Sequence, residues 1–328
     1  MLVKTLLAIA ALLSTGCGPA TFVVGISPGD QRLTTTTLQN DGRFRSRRIA
    51  IIDVTGVILN ANKPGLIMQG DNPVSDFAEK LQAAANDPRV AAVILRLNTP
   101  GGAVTASDAM YREVQRFKEQ TGKPVIALMM DVAASGGYYL ACSADHIIAY
   151  PTTVTGSIGV IVQTLTVKPA LDRIGIHAEA MTSGRNKAAG SPLATLTDDH
   201  RAVFQKLVDD FYERFIDVVK QARPNIPEEH FADVTDGRVV GGEEAHTLGL
   251  VDELGDIHDA FASAKRAANI EHADLVRYHR PLDYVGSPYG HANQQPMTQI
   301  NLLQMNLDTL GGLDAPAGFY YLWRPDLP

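Results

Sequence analysis

Residues 90–102 read VAAVILRLNTPGG, an apolar strand that runs into a glycine turn. Val90 to Leu97 is nearly all apolar and rich in β-branched side chains, which is typical of a strand buried on both faces. The turn Thr99-Pro100-Gly101-Gly102 ends this strand, because proline and paired glycines favour tight turns. The stretch therefore predicts a parallel sheet whose functional loops lie at the carboxyl ends of its strands.

The pattern continues toward the C-terminus. Residues 125–130 and 146–149 are two further apolar strands, and they are preceded by helical patterns at 106–118 and 133–144. This alternation predicts a parallel βαβαβ unit with right-handed crossovers, and so an α/β fold. The other predicted elements are a helix at 73–86, short strands at 157–162, 178–182 and 275–278, an amphipathic helix at 198–221, and helices at 242–248 and 256–268.

The composition narrows the function classes. The 328 residues are 45% hydrophobic and 20% charged, which is ordinary for a globular protein. The net charge of −7, without a long run of Lys or Arg, argues against a nucleic-acid partner. Cys17 and Cys142 are the two cysteines, too few for a zinc cluster or a disulfide framework. We expect neither a metal nor another cofactor.

The N-terminus has the pattern of an export signal. Lys4 precedes an apolar run at 6–13 that is too short to span a bilayer. The small residues before Cys17 resemble the lipobox of bacterial lipoproteins, so cleavage would leave a lipidated Cys17 at the mature N-terminus. A plain signal peptide, or an uncleaved anchor with an incidental cysteine, is the alternative. We expect an exported, membrane-attached protein with a signal at 1–17 and a polar tether at 18–47.

A candidate nucleophile lies in the run DVAASGGYY at residues 131–139. A serine among small residues at a strand-to-helix turn has an accessible hydroxyl, and the next backbone N–H can point to a developing oxyanion. Ser135 has this position. The alternative is that Ser135 only caps the helix and that the glycines serve tight packing. The Pro100-Gly101-Gly102 turn could supply a second oxyanion donor, or it could simply open the next helix.

A serine nucleophile needs a base; histidine is the usual one, and lysine is the other candidate. The nine histidines are interpreted as structural or exposed. Lys187 follows an apolar segment in SGRNKAAGSP at 183–192. A lysine amine has a pKa of about 10.4, and burial in an apolar wall lowers such a value by roughly 3–5 units, enough to make a base. The alternative for any single lysine is a solvated surface charge.

Four segments together resemble a known family. They are LNTPGGAVTASDAMY (97–111), DVAASGGYYLACSADHIIAYPTTVTGSIGV (131–160), SGRNKAAGSP (183–192) and TDGRVVGGEEAHTLGLVDELG (235–255). In this order they resemble the bacterial signal peptide peptidase A family of serine–lysine peptidases, in its short, single-repeat form. The resemblance covers roughly residues 48–270, within a predicted peptidase domain at 48–280.

The resemblance implies roles for individual residues. Ser135 would be the nucleophile and Lys187 the general base, 52 residues apart in the chain. Gly101 or Gly102, together with the N–H of Gly136, would form the oxyanion hole. Ser157, in TGSIG, would orient the lysine ammonium.

The resemblance also implies a fold and an assembly. The family has a Clp-protease/crotonase-like fold, so we expect parallel βαβ units followed by a C-terminal helical segment. Its members form rings and degrade released signal peptides and other unfolded segments without a cofactor. A homo-oligomeric ring and peptide substrates are therefore expected, with small and apolar side chains near the cut.

Two features depart from the family. Many relatives begin with a membrane-spanning helix, whereas this chain begins with a short signal. The extension at 281–328 matches nothing in the family, and its aromatic end, Phe319 to Trp323, is predicted to pack on a neighbouring subunit or in that subunit's groove. Two other functions stay open: a crotonase-type acyl-CoA enzyme on the same fold, and a catalytically idle, lipid-anchored scaffold that binds peptides.

Overall fold

A computed structural model describes residues 32–42, 46–61, 72–280 and 318–323 of the chain. The signal segment at 1–17, Cys17 and most of the C-terminal extension lie outside these residues. The described strands are β1 Thr34–Gln39, β2 Arg47–Thr55, β3 Val90–Thr99, β4 Gly101–Ala103, β5 Val125–Ala134, β6 His146–Ala149, β7 Val154–Gly156, β8 Ile161–Val162, β9 Val239–Gly241, β10 Glu253–Leu254, β11 Ala273–His279 and β12 Phe319–Leu322. The described helices are α1 Pro73–Asn86, α2 Val104–Thr121, α3 Gly136–Ala141, α4 Lys168–Arg173, α5 Asp198–Ala222, α6 Glu228–Val234, α7 Gly242–Thr247 and α8 Ile257–Ala267.

The main sheet has the strand order β1-β11-β2-β3-β5-β6-β10. Within this order every pair of neighbouring strands is parallel except β1 and β11, which pair antiparallel at one edge of the sheet. The far end of β5 leaves β6 and pairs with β7, which in turn pairs with β9. This mostly parallel sheet confirms the predicted α/β fold class and is consistent with a Clp-protease/crotonase-like fold.

The sheet is buried on both faces because its central strands are apolar at most positions. Ala50 and Ile52 of β2 face a core cluster that includes residues of α1, α2 and α3. Ile49 and Ile51 face the opposite cluster, against α8. Alternate residues of one strand thus meet different layers of helices, as the unbroken hydrophobic pattern of a parallel strand predicts.

Local signals fix the ends of several helices. Asn72 caps α1 by accepting hydrogen bonds from the N–H groups of Val74 and Ser75, with a proline at the first turn. Thr197 and His200 form a capping box at the start of α5. The ring of His200 accepts from the N–H of Thr197, and its Nε2 bonds the carbonyl oxygen of Arg185 at 3.0 Å. His200 is therefore a structural residue.

A small second sheet lies apart from this path. Strand β12 lies between β4 and β8 and runs antiparallel to both. The aromatic residues Phe319–Leu322 therefore pack against their own chain in this structure.

Four predicted elements differ from the structure. The helix expected at 133–144 is shorter, because β5 continues to Ala134 by pairing with β7. The strand expected at 157–162 is reduced to β8, since the positive φ angles of Gly156 and Ser157 break the extended backbone at the end of β7. Residues 178–182 form no strand and are mostly exposed. Strand β1 lies inside the stretch predicted as a tether, so the sheet begins earlier in the chain than expected.

Candidate active site

Ser135 lies at a sharp turn between β5 and α3. Its backbone has φ 53° and ψ −114°, a region that non-glycine residues rarely adopt and that costs about 1–3 kcal/mol. The turn is held on both sides: the N–H of Ser135 donates to Gly156 O at 2.8 Å, and its carbonyl accepts from Tyr139 N at 2.8 Å. A strained, over-determined backbone of this kind is the geometry of a nucleophile elbow.

The Ser135 hydroxyl does not cap the helix. Ser135 occupies the N-cap position of α3, but its side chain makes no capping hydrogen bond. The side chain is also almost fully buried, with 1% of the residue exposed. The interpretation of Ser135 as a simple N-cap is therefore wrong, and a buried hydroxyl is left free for another task.

The glycine turn lies beside Ser135 because β3 and β5 are adjacent parallel strands, with Thr99 opposite Ala133. Gly101 has φ 99°, and a Cβ built on it would lie 2.6 Å from the nitrogen of Gly136. Only a glycine fits so close an approach. The two glycine pairs, which are 35 residues apart in the chain, thus meet at one point of the fold.

The glycines of the two turns have different hydrogen-bond partners and neighbours. The N–H of Gly101 donates to Thr99 Oγ1 at 3.1 Å, so it is turned into its own loop. The carbonyl oxygen of Tyr321, in β12, lies 3.0 Å from the position of a Cβ on Gly136. The same oxygen pairs with Gly102 through the β4–β12 register, in which Tyr321 is opposite Gly102. The carbonyl of Tyr321 thus pairs with Gly102 and lies close to Gly136.

Ser157 lies next to Ser135. Strands β5 and β7 are parallel, with Ala134 opposite Gly156, and each serine is the residue that follows its strand. Ser157 has φ 50°, and its N–H donates to Arg238 O at 2.7 Å. The predicted lysine-orienting residue is thus beside the candidate nucleophile.

Lys187 is placed differently. It lies in a run of turns, where its N–H donates to Gly184 O at 3.0 Å, and its side chain is exposed. Among the described residues, no hydrogen bond or ion pair reaches its amine. A single chain therefore unites Ser135, Gly101, Gly102, Gly136 and Ser157 but leaves Lys187 in solvent.

An aromatic cluster lies next to the place where the two glycine turns meet, and it was not predicted from the sequence. Tyr139, in α3, stacks on Tyr321 with ring centroids 5.2 Å apart and meets Phe215 edge to face at 5.1 Å. Its hydroxyl donates to Asp108 Oδ1 at 2.6 Å. Burial works to raise the pKa of Asp108, but hydrogen bonds from Tyr139 and Arg112 outweigh it and hold the pKa below its usual 3.8. An ionised Asp108 thus fixes the Tyr139 ring.

The described ranges contain no group of three or more His, Cys, Asp or Glu side chains that could hold a metal ion. Within those ranges, none of the helices combines the length and the apolar character that a membrane crossing requires.

Comparisons with known proteins place the chain in a family. Residues 117–271 match the family model described as "Peptidase family S49". A putative protease of Synechocystis sp. is 31% identical over 225 residues, which cover 69% of this chain and 76% of that protein. The chain belongs to peptidase family S49, the signal peptide peptidase A family.

Other S49 relatives are longer than this chain. Protease 4 of Salmonella typhi is 36% identical over 236 residues, covering 70% of this chain and 36% of that protein. The chloroplastic serine protease SPPA of Arabidopsis thaliana is 36% identical over 239 residues, covering 71% of this chain and 35% of that protein. The chain thus spans about a third of the length of these two S49 proteins.

A solved structure is also similar to this S49 chain. A mutant of the 1510-N membrane-bound stomatin-specific protease aligns with a TM-score of 0.43 and 17% identity, covering 66% of this chain and 84% of that chain.

Proposed function

We propose that this S49 chain is a serine endopeptidase that cleaves unfolded or membrane-associated peptides, including released signal peptides, through an acyl-enzyme at Ser135. The observation that carries the proposal is the strained, buried Ser135, whose hydroxyl makes no cap and lies where the two glycine turns meet. Such a turn aims a nucleophile at a carbonyl held by backbone N–H groups. Gly102 and Gly136 are the proposed donors, since the N–H of Gly101 is already engaged by Thr99.

The reaction follows from these positions. Ser135 Oγ forms a bond to the carbonyl carbon of the peptide while its proton passes to a neutral amine, for which we propose Lys187. The two N–H donors stabilise the oxyanion. The C–N bond then breaks, and the protonated amine returns the proton to the leaving nitrogen. A water molecule, activated by the same amine, hydrolyses the ester and releases the second product.

Lys187 must lose its water shell to act as this base, because burial favours the neutral form of an amine. A single chain does not provide that burial. The segment around Lys187 exposes several large apolar side chains, and exposed apolar surface of this kind marks an interaction site. They are Leu165 (56% exposed), Ile174 (71%), Ile176 (52%), Met181 (101%) and Leu193 (50%). We propose that a second copy covers this segment in a homo-oligomeric ring and brings Lys187 to a serine across the interface.

Attachment to the membrane belongs to the same proposal. Cleavage before Cys17 and lipidation of its thiol would place the active site outside the cytoplasm. Mass spectrometry of the mature N-terminus tests this part: a lipid-modified Cys17 supports it, and an unmodified N-terminus at any other residue contradicts it.

A serine-directed fluorophosphonate probe tests the nucleophile. We expect labelling of Ser135, located by peptide mapping, and none in Ser135→Ala. A folded wild-type protein that hydrolyses peptides without labelling at Ser135 would reject the mechanism. A protein that binds peptides but neither labels nor hydrolyses them would instead be the idle scaffold, and turnover of acyl-CoA substrates in place of peptides would point to the crotonase-type enzyme.

Mixing two inactive variants tests the interface. If Lys187 serves a serine of another copy, then Ser135→Ala and Lys187→Ala, co-expressed, form mixed sites that contain both intact residues. We expect each variant alone to be inactive and the mixture to hydrolyse peptides. A mixture that stays inactive, although both variants form oligomers of wild-type size, would reject a Lys187 that acts across the interface.

A further inference from the structure

The Lys187 loop, residues 185–190, is fastened to α5 at both of its ends. At its start, the carbonyl oxygen of Arg185 accepts a hydrogen bond from His200 Nε2 at 3.0 Å. At its end, Gly190 lies against the ring of Phe204, so that a Cβ built on the glycine would be 3.2 Å from Phe204 Cζ. The backbone of the loop is therefore held on both sides of the lysine.

The two contacts come from one face of α5. His200 and Phe204 are four residues apart, and side chains at this spacing are neighbours on the surface of a helix. Gly190 has φ 78°, in the left-handed region that favours glycine, and this turn ends the loop against Phe204. The side chain of Lys187 is exposed. Helix α5 thus supports the backbone of the loop and leaves the amine accessible.

The hydrogen bonds of His200 fix its protonation state. The buried ring accepts at Nδ1 from the N–H of Thr197, at 3.4 Å, and a carbonyl oxygen can only accept, so Nε2 carries the proton and donates to Arg185. A capping box needs only the acceptor, which Glu or Gln usually supplies. The donor at Nε2 is an additional function, and the Lys187 loop uses it. The ion pair of Arg185 with Asp199, at 3.3 Å, is exposed and contributes little.

The middle of α5 packs on the helix that follows the candidate nucleophile. The ring of Phe215 is buried and meets Tyr139 of α3 edge to face, with centroids 5.1 Å apart. His200 precedes Phe215 by 15 residues, which is about 22 Å of helix. One helix therefore sets the separation between the Lys187 loop and α3 of the same chain. A base carried at that distance suits a serine of another copy.

We propose that His200 is a positioning residue for the base: its Nε2–H holds the carbonyl of Arg185 and so fixes the Lys187 loop where the amine meets a serine of another copy. This inference rests on the proposed peptidase function and refines it. The imidazole acts through the backbone of the loop and not on the substrate, so its loss should lower kcat and leave KM unchanged. A misplacement of about 1 Å is enough to cost about 100-fold in rate.

Glutamine and glutamate at position 200 separate the two hydrogen bonds of the histidine. His200→Gln keeps an acceptor for Thr197 and a donor for Arg185 O, whereas His200→Glu keeps only the acceptor, because an ionised carboxylate has no proton to donate. We expect kcat to fall roughly 10–100-fold in His200→Glu, with KM unchanged, and to stay near the wild-type value in His200→Gln. A residue that only caps α5 would tolerate both changes alike, so equal kcat values in the two variants would overturn the proposal.

A charge control accompanies this pair. Lys206→Gln lowers the charge of α5 by one unit, as His200→Glu does, at an exposed position whose amine pairs with Asp210. We expect its kcat to match the wild type. If it loses as much as His200→Glu, the changed charge is the cause and the proposal fails. Melting temperatures close to that of the wild type verify that the variants fold.

The other end of the loop covers the case in which His200→Glu does not fold. Gly190→Ala adds a methyl group against Phe204 and strains the left-handed turn, which shifts the loop from α5. Gly122→Ala is the matched control: this glycine, at the end of α2, has φ 64° and no atom within 4 Å of a Cβ. We expect a lower kcat for Gly190→Ala alone. Equal kcat values in these two variants would contradict the proposal.

Hydrogen exchange keeps the inference separate from catalysis. Mass spectrometry follows the amides of residues 183–196 in the full-length protein, without any need for activity. We expect faster exchange in His200→Glu than in the wild type or His200→Gln. Faster exchange, in a protein whose wild type neither hydrolyses peptides nor labels at Ser135, would reject the peptidase and keep the attachment of the loop to His200. Unchanged exchange in His200→Glu, with an active wild type, would reject the role of His200 alone.

Discussion

The hydroxyl of Thr99 accepts a 3.1 Å hydrogen bond from the N–H of Gly101. The same hydroxyl donates to Gly56 O at 2.5 Å. One buried side chain thus holds the glycine turn to the loop after β2 and directs the N–H of Gly101 away from Tyr321.

Thr99→Val should therefore weaken both the fold and the site. The substitution keeps the shape but leaves the N–H of Gly101 and the carbonyl of Gly56 without a partner, at about 1–3 kcal/mol for each buried group. We expect a lower free energy of unfolding in a denaturant titration and a lower kcat. Thr99→Ser, which keeps the hydroxyl, is the matched control and should lie much closer to the wild type. Equal losses in both variants would show that the hydroxyl does not hold the turn.

Lys187 should be dispensable for stability and essential for turnover. Its side chain is exposed in the single chain, and substitutions at such positions usually change the free energy of unfolding by no more than about 0.5 kcal/mol. Lys187→Ala should therefore keep the stability of the dissociated chain and lose peptide hydrolysis. Lys187→Arg should be inactive as well, because a guanidinium keeps its charge and cannot act as a base. An active Lys187→Arg enzyme would mean that only the positive charge matters.

The ion pair between Arg223 and Asp252 should make stability depend on acid pH. Arg223 donates two hydrogen bonds to Asp252, at 2.7 and 2.8 Å, and the N–H of Ile147 donates a third. Burial works to raise the pKa of Asp252, but the hydrogen bonds of Arg223 and Ile147 lower it below 3.8. The carboxylate is thus favoured in the folded state, so its stabilisation is complete above about pH 4 and is lost as the pH falls through the lower, folded-state value.

Asp252→Asn should lose about 1.5–3 kcal/mol at pH 7, the range for hydrogen bonds to charged groups. Between pH 4 and pH 2, its free energy of unfolding should also fall less than that of the wild type. Denaturant titrations across this range measure both effects. Asp217→Asn, at an exposed carboxylate with no hydrogen bond among the described residues, is the control. If Asp217→Asn also weakens the dependence of stability on pH between pH 4 and pH 2, the Arg223–Asp252 pair is not the cause.

Cys142 should be inert to alkylation in the folded protein. Burial raises the pKa of its thiol to about 12, with Arg223 opposing that rise. At pH 8 only about one thiol in ten thousand would be ionised, and the thiolate is the reactive form. Iodoacetamide treatment followed by peptide mapping should therefore find Cys142 unmodified until the protein is unfolded in guanidinium. Rapid modification without denaturant would show that the α3 region opens readily.

The strands of the main sheet could be predicted because their side chains are apolar on both faces. Val90 to Leu97 and His146 to Ala149 lie where the sequence placed them. The end of β5 could not be predicted, since Ala133 and Ala134 suit a helix and join the strand only by pairing with β7. That partner lies about 20 residues away in the chain, so the local sequence does not reveal the pairing.

The candidate site shows the same division. The serine and both glycine pairs could be predicted from their turns, because these turns follow strand ends that meet at one edge of the sheet. The sequence could not choose between Gly101 and Gly102, since the choice depends on the contact of Gly101 with Thr99. Tyr139 and its bond to Asp108 were missed because their pairing joins two different helices. The roles predicted for Ser135, Gly101, Gly102, Gly136, Ser157 and Lys187 stay predictions.

The gap between β4 and β8 has a definite width because a single strand fills it. Neighbouring strands lie about 4.8 Å apart, so the two edges that flank β12 are separated by roughly two such spacings, near 10 Å. An α-helix with its side chains is also about 10–12 Å across, but its N–H and C=O groups bond within the helix and cannot join either edge. A segment that took the place of β12 would therefore have to be extended already, so the width of this gap excludes an intact helix.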